Sequence, residues 1–288
     1  MRAIGLMVGA MASFAMADML IKIAARAVTS AEVILIMGLM GTFLFAVLTR
    51  CAGHAIVTPM YFHRAVLARN GFEVVLNVGI ISALAVAPLS LVSSISQATP
   101  LVVTLAAALI LGERVGPRRW IAVIIGLGGV LLILRPGGSE MSVGAIFALI
   151  SVIGAAGRDV ATRLIPRGIP TLQLATWGFS VLIPTGTLMV LLSPGAGKLP
   201  DPFSLLILLG ATFWAALAYY AITASVRLAD VSLVSPFRYT RLIFALFLGI
   251  LLLGERPDAP TLIGAAIVIG SGLFVLLRER ALARSKSR

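Results

Sequence analysis

The chain has 288 residues, 60% of them hydrophobic and only 12% charged, with a net charge of +12 and a mean hydropathy of +1.08. Soluble domains carry about 25% charged residues, so water could not solvate this surface, and the chain reads as a polytopic helical membrane protein. The basic excess fits orientation of membrane helices rather than nucleic acid, because no basic patch is interleaved with exposed aromatics; a lone cysteine, Cys51, excludes an internal disulfide and a cysteine metal site.

In chain order the apolar runs predict ten spans, at roughly 3–23, 31–49, 65–86, 88–111, 119–134, 142–164, 171–191, 203–226, 231–253 and 260–277. Each is continuous, whereas a β-barrel strand would alternate over about ten residues. Thr29-Ser30, Pro59, Pro117, the run from Arg135 to Gly138, Pro170, Pro194 to Pro202, and Pro257/Pro260 punctuate them. The third and fourth spans nearly touch at Ala87-Pro88, which predicts a tight hairpin. His54 and His63 share one polar connection and are too few for a metal site.

The start of the chain resembles a cleavable signal peptide, with Arg2, an apolar stretch and Ala15-Met16-Ala17. Asp18 and Lys22 recur, however, as Asp159 and Arg163 at an offset of 141. The first span is thus the partner of the sixth and is expected to be kept. With the N-terminus inside, the inner segments hold 15 Lys and Arg and the outer loops 5. The positive-inside rule then places both termini in the cytoplasm.

A longer repeat runs through the chain. Leu-Gly-Glu-Arg occurs at 111–114 and at 253–256, and Ser-Leu-Val-Ser at 90–93 and 232–235, both at an offset of 142. Five spans per copy is an odd number, so the second copy must sit upside down. The expected units are residues 1–137 and an inverted 138–288 that ends in a short basic tail.

Ser90, Ser93, Ser94, Gln97 and Thr104 share one face of the fourth span, and Ser232, Ser235 and Tyr239 fall on the matching face of the ninth. Such a stripe should face protein or water; it either lines a path or bonds neighbouring helices. Pro100 and Pro236 each remove a backbone hydrogen bond, freeing a carbonyl for substrate or for a bend, unless they are passive kinks. Asn77 and Tyr219 are repeat mates near mid-span. Phe14, Trp214, Tyr219, Tyr220 and Tyr239 offer aromatic walls, although most membrane aromatics pack or anchor, as expected for Trp120 and Trp177.

Five charges lie inside apolar spans: Glu73, Arg158, Asp159, Arg238 and Arg241. Each should lie about 8–15 Å from the cytoplasmic helix end, and an intramembrane charge is functional by default. Either an Arg binds a substrate carboxylate as a fork, or the acids pair with the bases and close a cytoplasmic gate. The pairing reading expects the substrate-free protein to rest open to the outside. Gly126, Gly128 and Gly129 answer Gly264, Gly270 and Gly272 as close-packing scaffold.

Ten spans in a 5+5 inverted repeat, with LGER closing the fourth and ninth, resemble the drug/metabolite transporter superfamily, and within it the EamA-type exporters. The ten-helix YddG-type exporters of aromatic amino acids look most similar. The resemblance implies an all-α protein of the cell inner membrane that exports small metabolites by alternating access. The central cavity would be lined by spans 1, 3, 4, 6, 8 and 9. The expected substrate is an amino acid, aromatic in preference, with nucleosides, sugars or drugs as alternatives. Substrate-binding candidates are Phe14, Asn77, Ser93, Gln97, Trp214, Tyr219, Arg238 and Tyr239. Gate or coupling candidates are Glu73, Arg158, Asp159, Arg241, Pro100 and Pro236. No cofactor, metal or nucleic acid is expected; the partners are a small molecule and the bilayer, and the working unit is a monomer. An intramembrane enzyme would need a clustered metal site or a nucleophile with its base, and a channel would lack saturation and counterflow.

Overall fold

The computed structural model describes residues 1–110, 112, 116–135, 143–166, 168–193, 196–197, 200–228 and 234–286, and among them there is no β-strand. The helices are α1 (Arg2–Ala24), α2 (Ser30–Cys51), α3 (Arg64–Val86), α4 (Leu89–Ser96), α5 (Thr99–Ile110), α6 (Pro117–Leu134), α7 (Val143–Arg163), α8 (Thr171–Ser180), α9 (Leu182–Leu192), α10 (Pro202–Leu228), α11 (Thr240–Leu253) and α12 (Ala259–Lys286). Short 3₁₀ turns cover Pro59–Phe62 and Ser235–Tyr239. Seven segments are long and apolar enough to cross a membrane, counting α4–α5 and α8–α9 as one each, and Trp120–Leu134 and Ala259–Phe274 are shorter apolar helices.

Local chemistry explains the boundaries. Thr29 and Glu32 form a reciprocal capping box at the start of α2. Pro117 opens α6, where its missing N–H costs nothing. Gly112 and Gly254, the glycines of the two LGER copies, both adopt left-handed backbone, at φ +65° and +67°. A glycine there ends a helix without the penalty a Cβ would incur. Leu111, Glu113 and Arg114 of the first copy, and Ser232 of the polar stripe, lie outside the described residues. The basic tail continues α12 to Lys286 rather than leaving the helix near 277.

Packing follows the repeat. An offset of about 142 relates α1 to α7, α2 to α8–α9, α3 to α10, α4–α5 to the turn plus α11, and α6 to α12. Accordingly α1 packs on α10 as α7 packs on α3, while α2 meets α8 and α9, and α6 meets α12. Small residues permit the closest approaches: a Cβ on Gly154 would lie 2.4 Å from Leu76 N, and one on Gly79 2.6 Å from Ser151 N. Lys22 near the end of α1 and Gly144 at the start of α7 both meet Ala87, so α1 runs towards the α3–α4 turn and α7 away from it. We call this end the hairpin face and the opposite end the N-terminal face.

The hydrophobic core is lopsided. One large cluster, including Met19, Ile21, Val28, Ile81, Leu84, Leu89, Val92, Leu182 and Leu248, joins helices of both halves near the hairpin face. Towards the N-terminal face, among the described residues, only a small cluster remains, of Ala3, Met7, Ala10 and Met11 with Ala221 and Val234. It belongs to α1, α10 and the segment before α11; the adjoining ends of α3 and α7 contribute nothing to it. Among the described residues, the two groups of helices therefore share buried apolar packing at the hairpin face and are parted at the other.

Candidate substrate recess

Charged side chains occupy the parting. On one wall, α3 and α7 supply Glu73, whose carboxylate pairs with Arg69 at 3.3 Å and with Arg158 at 3.7 Å. Arg158 also donates to Asp159 Oδ1 at 3.1 and 2.9 Å. Asn77, one turn beyond Glu73, donates to its backbone carbonyl at 2.9 Å and to Oε1 at 3.2 Å. Tyr219 of α10 is an electrostatic neighbour of Arg69, Glu73 and Arg158, donates to the Thr171 carbonyl at 3.3 Å and packs edge-on against Phe45 of α2. Four of the expected residues, Glu73, Asn77, Arg158 and Asp159, thus come together with Tyr219 beside them.

The facing wall belongs to α1 and α11. Arg241 donates to Asp18 Oδ2 from Nε at 3.2 Å and from Nη2 at 2.6 Å, and its guanidinium lies 5.1 Å from the Phe14 ring centroid. This differs from the expectation that Glu73 and Asp159 take both arginines. A long side chain lets Arg241 reach the acid on α1, which is closer than either acid on the opposite wall. Arg238, one turn earlier, makes no ion pair among the described residues. It is exposed, yet surrounding protein still desolvates it, and its charged neighbours are Asp159, Arg158 and Arg241. That combination marks a side chain in a recess rather than on an outer surface. Asp159 itself is 29% exposed.

Where the helices break, the halves cross. Gln97 ends the α4 turn and donates to the Tyr239 carbonyl at 3.4 Å. The two residues are repeat mates, 142 apart, so matching positions of the two copies meet here. Both are buried, as is Ser93, and none of the three reaches the recess in this state. The Tyr239 ring fills a slot at Gly272, where a Cβ would lie on its hydroxyl. The hydroxyls of Tyr239 and Ser93 have no hydrogen-bond partner among the described residues.

Pro100 sits in the first turn of α5, where proline is tolerated, and the Ser96 carbonyl that it leaves free accepts from Thr99 Oγ1 at 2.8 Å. Pro236 opens the 3₁₀ turn before α11, and its side chain is outside the described residues. Trp214 stacks edge-on against Phe213, an exposed residue of the outer surface, while Tyr220 is exposed on the same helix. At the parted N-terminal face the acids Glu73 and Asp159 are shared among α3 and α7, and among the described residues neither bridges to α11.

Sequence reasoning missed Arg69, one of the 15 basic residues counted on the inner side, which is buried. Its spacing of four from Glu73 was the available signal. No group of three His, Cys, Asp or Glu among the described residues could hold a metal ion.

The model of the EamA-like transporter family matches twice, over residues 1–135 and 142–277. This chain belongs to the EamA-like transporter family. The transporter is 29% identical over 217 residues to a riboflavin transporter of Rhizobium johnstonii, covering 75% of this chain and 69% of that one. It is 24% identical over 199 residues to an S-adenosylmethionine uptake transporter of Rickettsia bellii, covering 68% and 67%. A pseudopaline exporter of Pseudomonas aeruginosa is 27% identical over 278 residues, with coverage of 92% and 93%. A crystal structure shares the fold at a TM-score of 0.65 and 20% identity, covering 96% of this chain and 97% of that one. The transporter is a multi-pass membrane protein for small molecules, within the drug/metabolite transporter superfamily.

Proposed function

We propose that the transporter moves a small zwitterionic metabolite, an α-amino acid with a flat ring in preference, and that it exports it. The observation that carries this reading is the exposed Arg238, which makes no ion pair among the described residues, with Asp159 as a charged neighbour across the recess. A guanidinium fork matches a carboxylate, and the half-open carboxylate of Asp159 matches an ammonium. Phe14 and Tyr219 supply ring faces on the two walls, with Asn77 as a further polar contact. The similarity to transporters of S-adenosylmethionine and riboflavin supports a substrate with a ring.

The transport cycle is alternating access between two inverted five-span units. Both termini lie in the cytoplasm of a cell whose inner membrane holds the protein as a monomer. Lopsided packing supports an inward-open state. Closing the N-terminal face brings Arg238 and Arg241 towards Asp159 and Glu73, so substrate charges are exchanged for internal partners.

Counterflow in proteoliposomes tests this. Aromatic amino acids should exchange with saturation, and nucleosides and sugars should not. Exchange of riboflavin without that of any amino acid would assign a neutral ring substrate and leave Arg238 without the role given to it.

A further inference from the structure

The hairpin face carries a second set of charged contacts, remote from the recess. Glu255, of the second LGER copy, follows α11. Gly254 turns the chain back in left-handed conformation, and Glu255 N–H donates to the Gly249 carbonyl at 2.8 Å. The carboxylate then reaches the other half of the protein. It accepts from Leu89 N–H, from Ser90 N–H at 2.9 Å and from Ser90 Oγ at 2.8 Å. These are the free donors of the first turn of α4, which has no cap from its own chain segment. On the other side of the Ala87-Pro88 turn, Lys22 of α1 donates to the carbonyls of Leu84, at 3.3 Å, and of Ala87. The α3–α4 hairpin is thus held by a cation on its carbonyl end and an anion on its amide end, and the two charges attract each other.

We infer that Glu255 is the latch that keeps the hairpin face shut, and that Lys22 is its counterpart on α1. Opening that face must separate the end of α11 from the start of α4, and Glu255 is the polar tie across that gap. Charge-assisted bonds to backbone donors are strong, and Ser90, 1% exposed, cannot replace them with water until the face parts. The tie is also short-reaching. The Gly254 turn fixes Glu255 against α11, so the bonds break as a unit once α11 tilts away. The latch rests on the alternating-access reading above.

The test reads two reporter positions by their reaction with a maleimide, in a Cys51→Ser background. Ser93→Cys, one turn below Ser90 and buried, reports opening of the hairpin face. Thr162→Cys, exposed one turn beyond Asp159 on α7, reports the N-terminal recess. Glu255→Gln should raise labelling at the first position by about fivefold or more and lower it at the second. Lys22→Met should act in the same direction, and Ser90→Ala more weakly, which keeps the idea testable should Glu255→Gln fail to accumulate. No change in either rate, or a rise in both, overturns the latch, because loosened packing would expose both positions alike. The reporters also separate the two readings. If saturating substrate never moves the two rates in opposite directions in otherwise unaltered protein, alternating access fails. If substrate does so and Glu255→Gln does not, only the latch fails.

Discussion

At the scale of single residues, the two arginines of α11 have opposite fates. Arg241 is satisfied by Asp18 and lies over Phe14; Arg238 is exposed and makes no ion pair among the described residues, which suits the ligand role proposed for it. Arg238→Ala should therefore raise the half-saturation concentration about tenfold to a hundredfold with folded yield unchanged, and Arg238→Lys should recover part of the loss. Arg241→Ala should instead lower the folded yield, because it strands Asp18, 9% exposed, without its partner. Size-exclusion profiles beside uptake curves separate the two outcomes. The sequence showed both arginines and their shared face, but not which acid each would meet, since that depends on how far α1 stands from α11. Outside the membrane, Asp258 caps α12 through Thr261 N–H at 3.0 Å and pairs with Arg135. Its carboxyl is held below the usual range, chiefly by the Thr261 side-chain bond. A depressed folded value means that this stabilisation is full above the ordinary Asp range near pH 4 and fades as pH falls through the lower folded value. Thermal melts of Asp258→Asn in detergent should show a shallower decline on acidification than the unaltered protein.

At the scale of elements, helix positions were the most legible feature. The expected span at 65–86 is α3 at Arg64–Val86, and that at 203–226 is α10 at Pro202–Leu228. Apolar runs of fixed length leave the chain little choice in a bilayer. The breaks were less legible. Proline suggested that helix disruption centres on residue 100, yet the chain loosens at Gln97-Ala98 and Pro100 begins the next helix. The glycines expected to form scaffold do so unequally. Gly129 and Gly264 bring α6 and α12 into backbone contact, Gly272 makes room for Tyr239, and Gly128 and Gly270 meet nothing nearby. The tightest pairing is α3 on α7. Gly154→Leu should cost about 3 kcal/mol or more, since the intruding side chain meets backbone that cannot move aside. A fall in thermal midpoint with Gly128→Leu near neutral would confirm that contrast.

For the whole molecule, the offset of 142 residues was enough to foresee which helices correspond and that Gln97 and Tyr239 are equivalent. It could not reveal that these two meet, because self-contact needs the axis to pass through the helix breaks. Nor could it reveal the lopsided core: two related halves need not pack alike at both ends. The inverted arrangement predicts that cysteines at Arg26 and Leu164, in a Cys51→Ser background, react from opposite sides of oriented vesicles; labelling of both from one side would contradict it.

The parted N-terminal half has a consequence for how this chain tolerates change. Most core contacts that resist heat sit near the hairpin face, so substitutions along the recess remove little of the packing that holds the fold together. Recognition and robustness are thereby assigned to opposite ends of the same helices. A lineage altering Phe14, Asn77 or Arg238 could exchange one cargo for another without a compensating repair elsewhere, while drift at Leu84, Leu89 or Leu248 would be removed by selection before any cargo was tried.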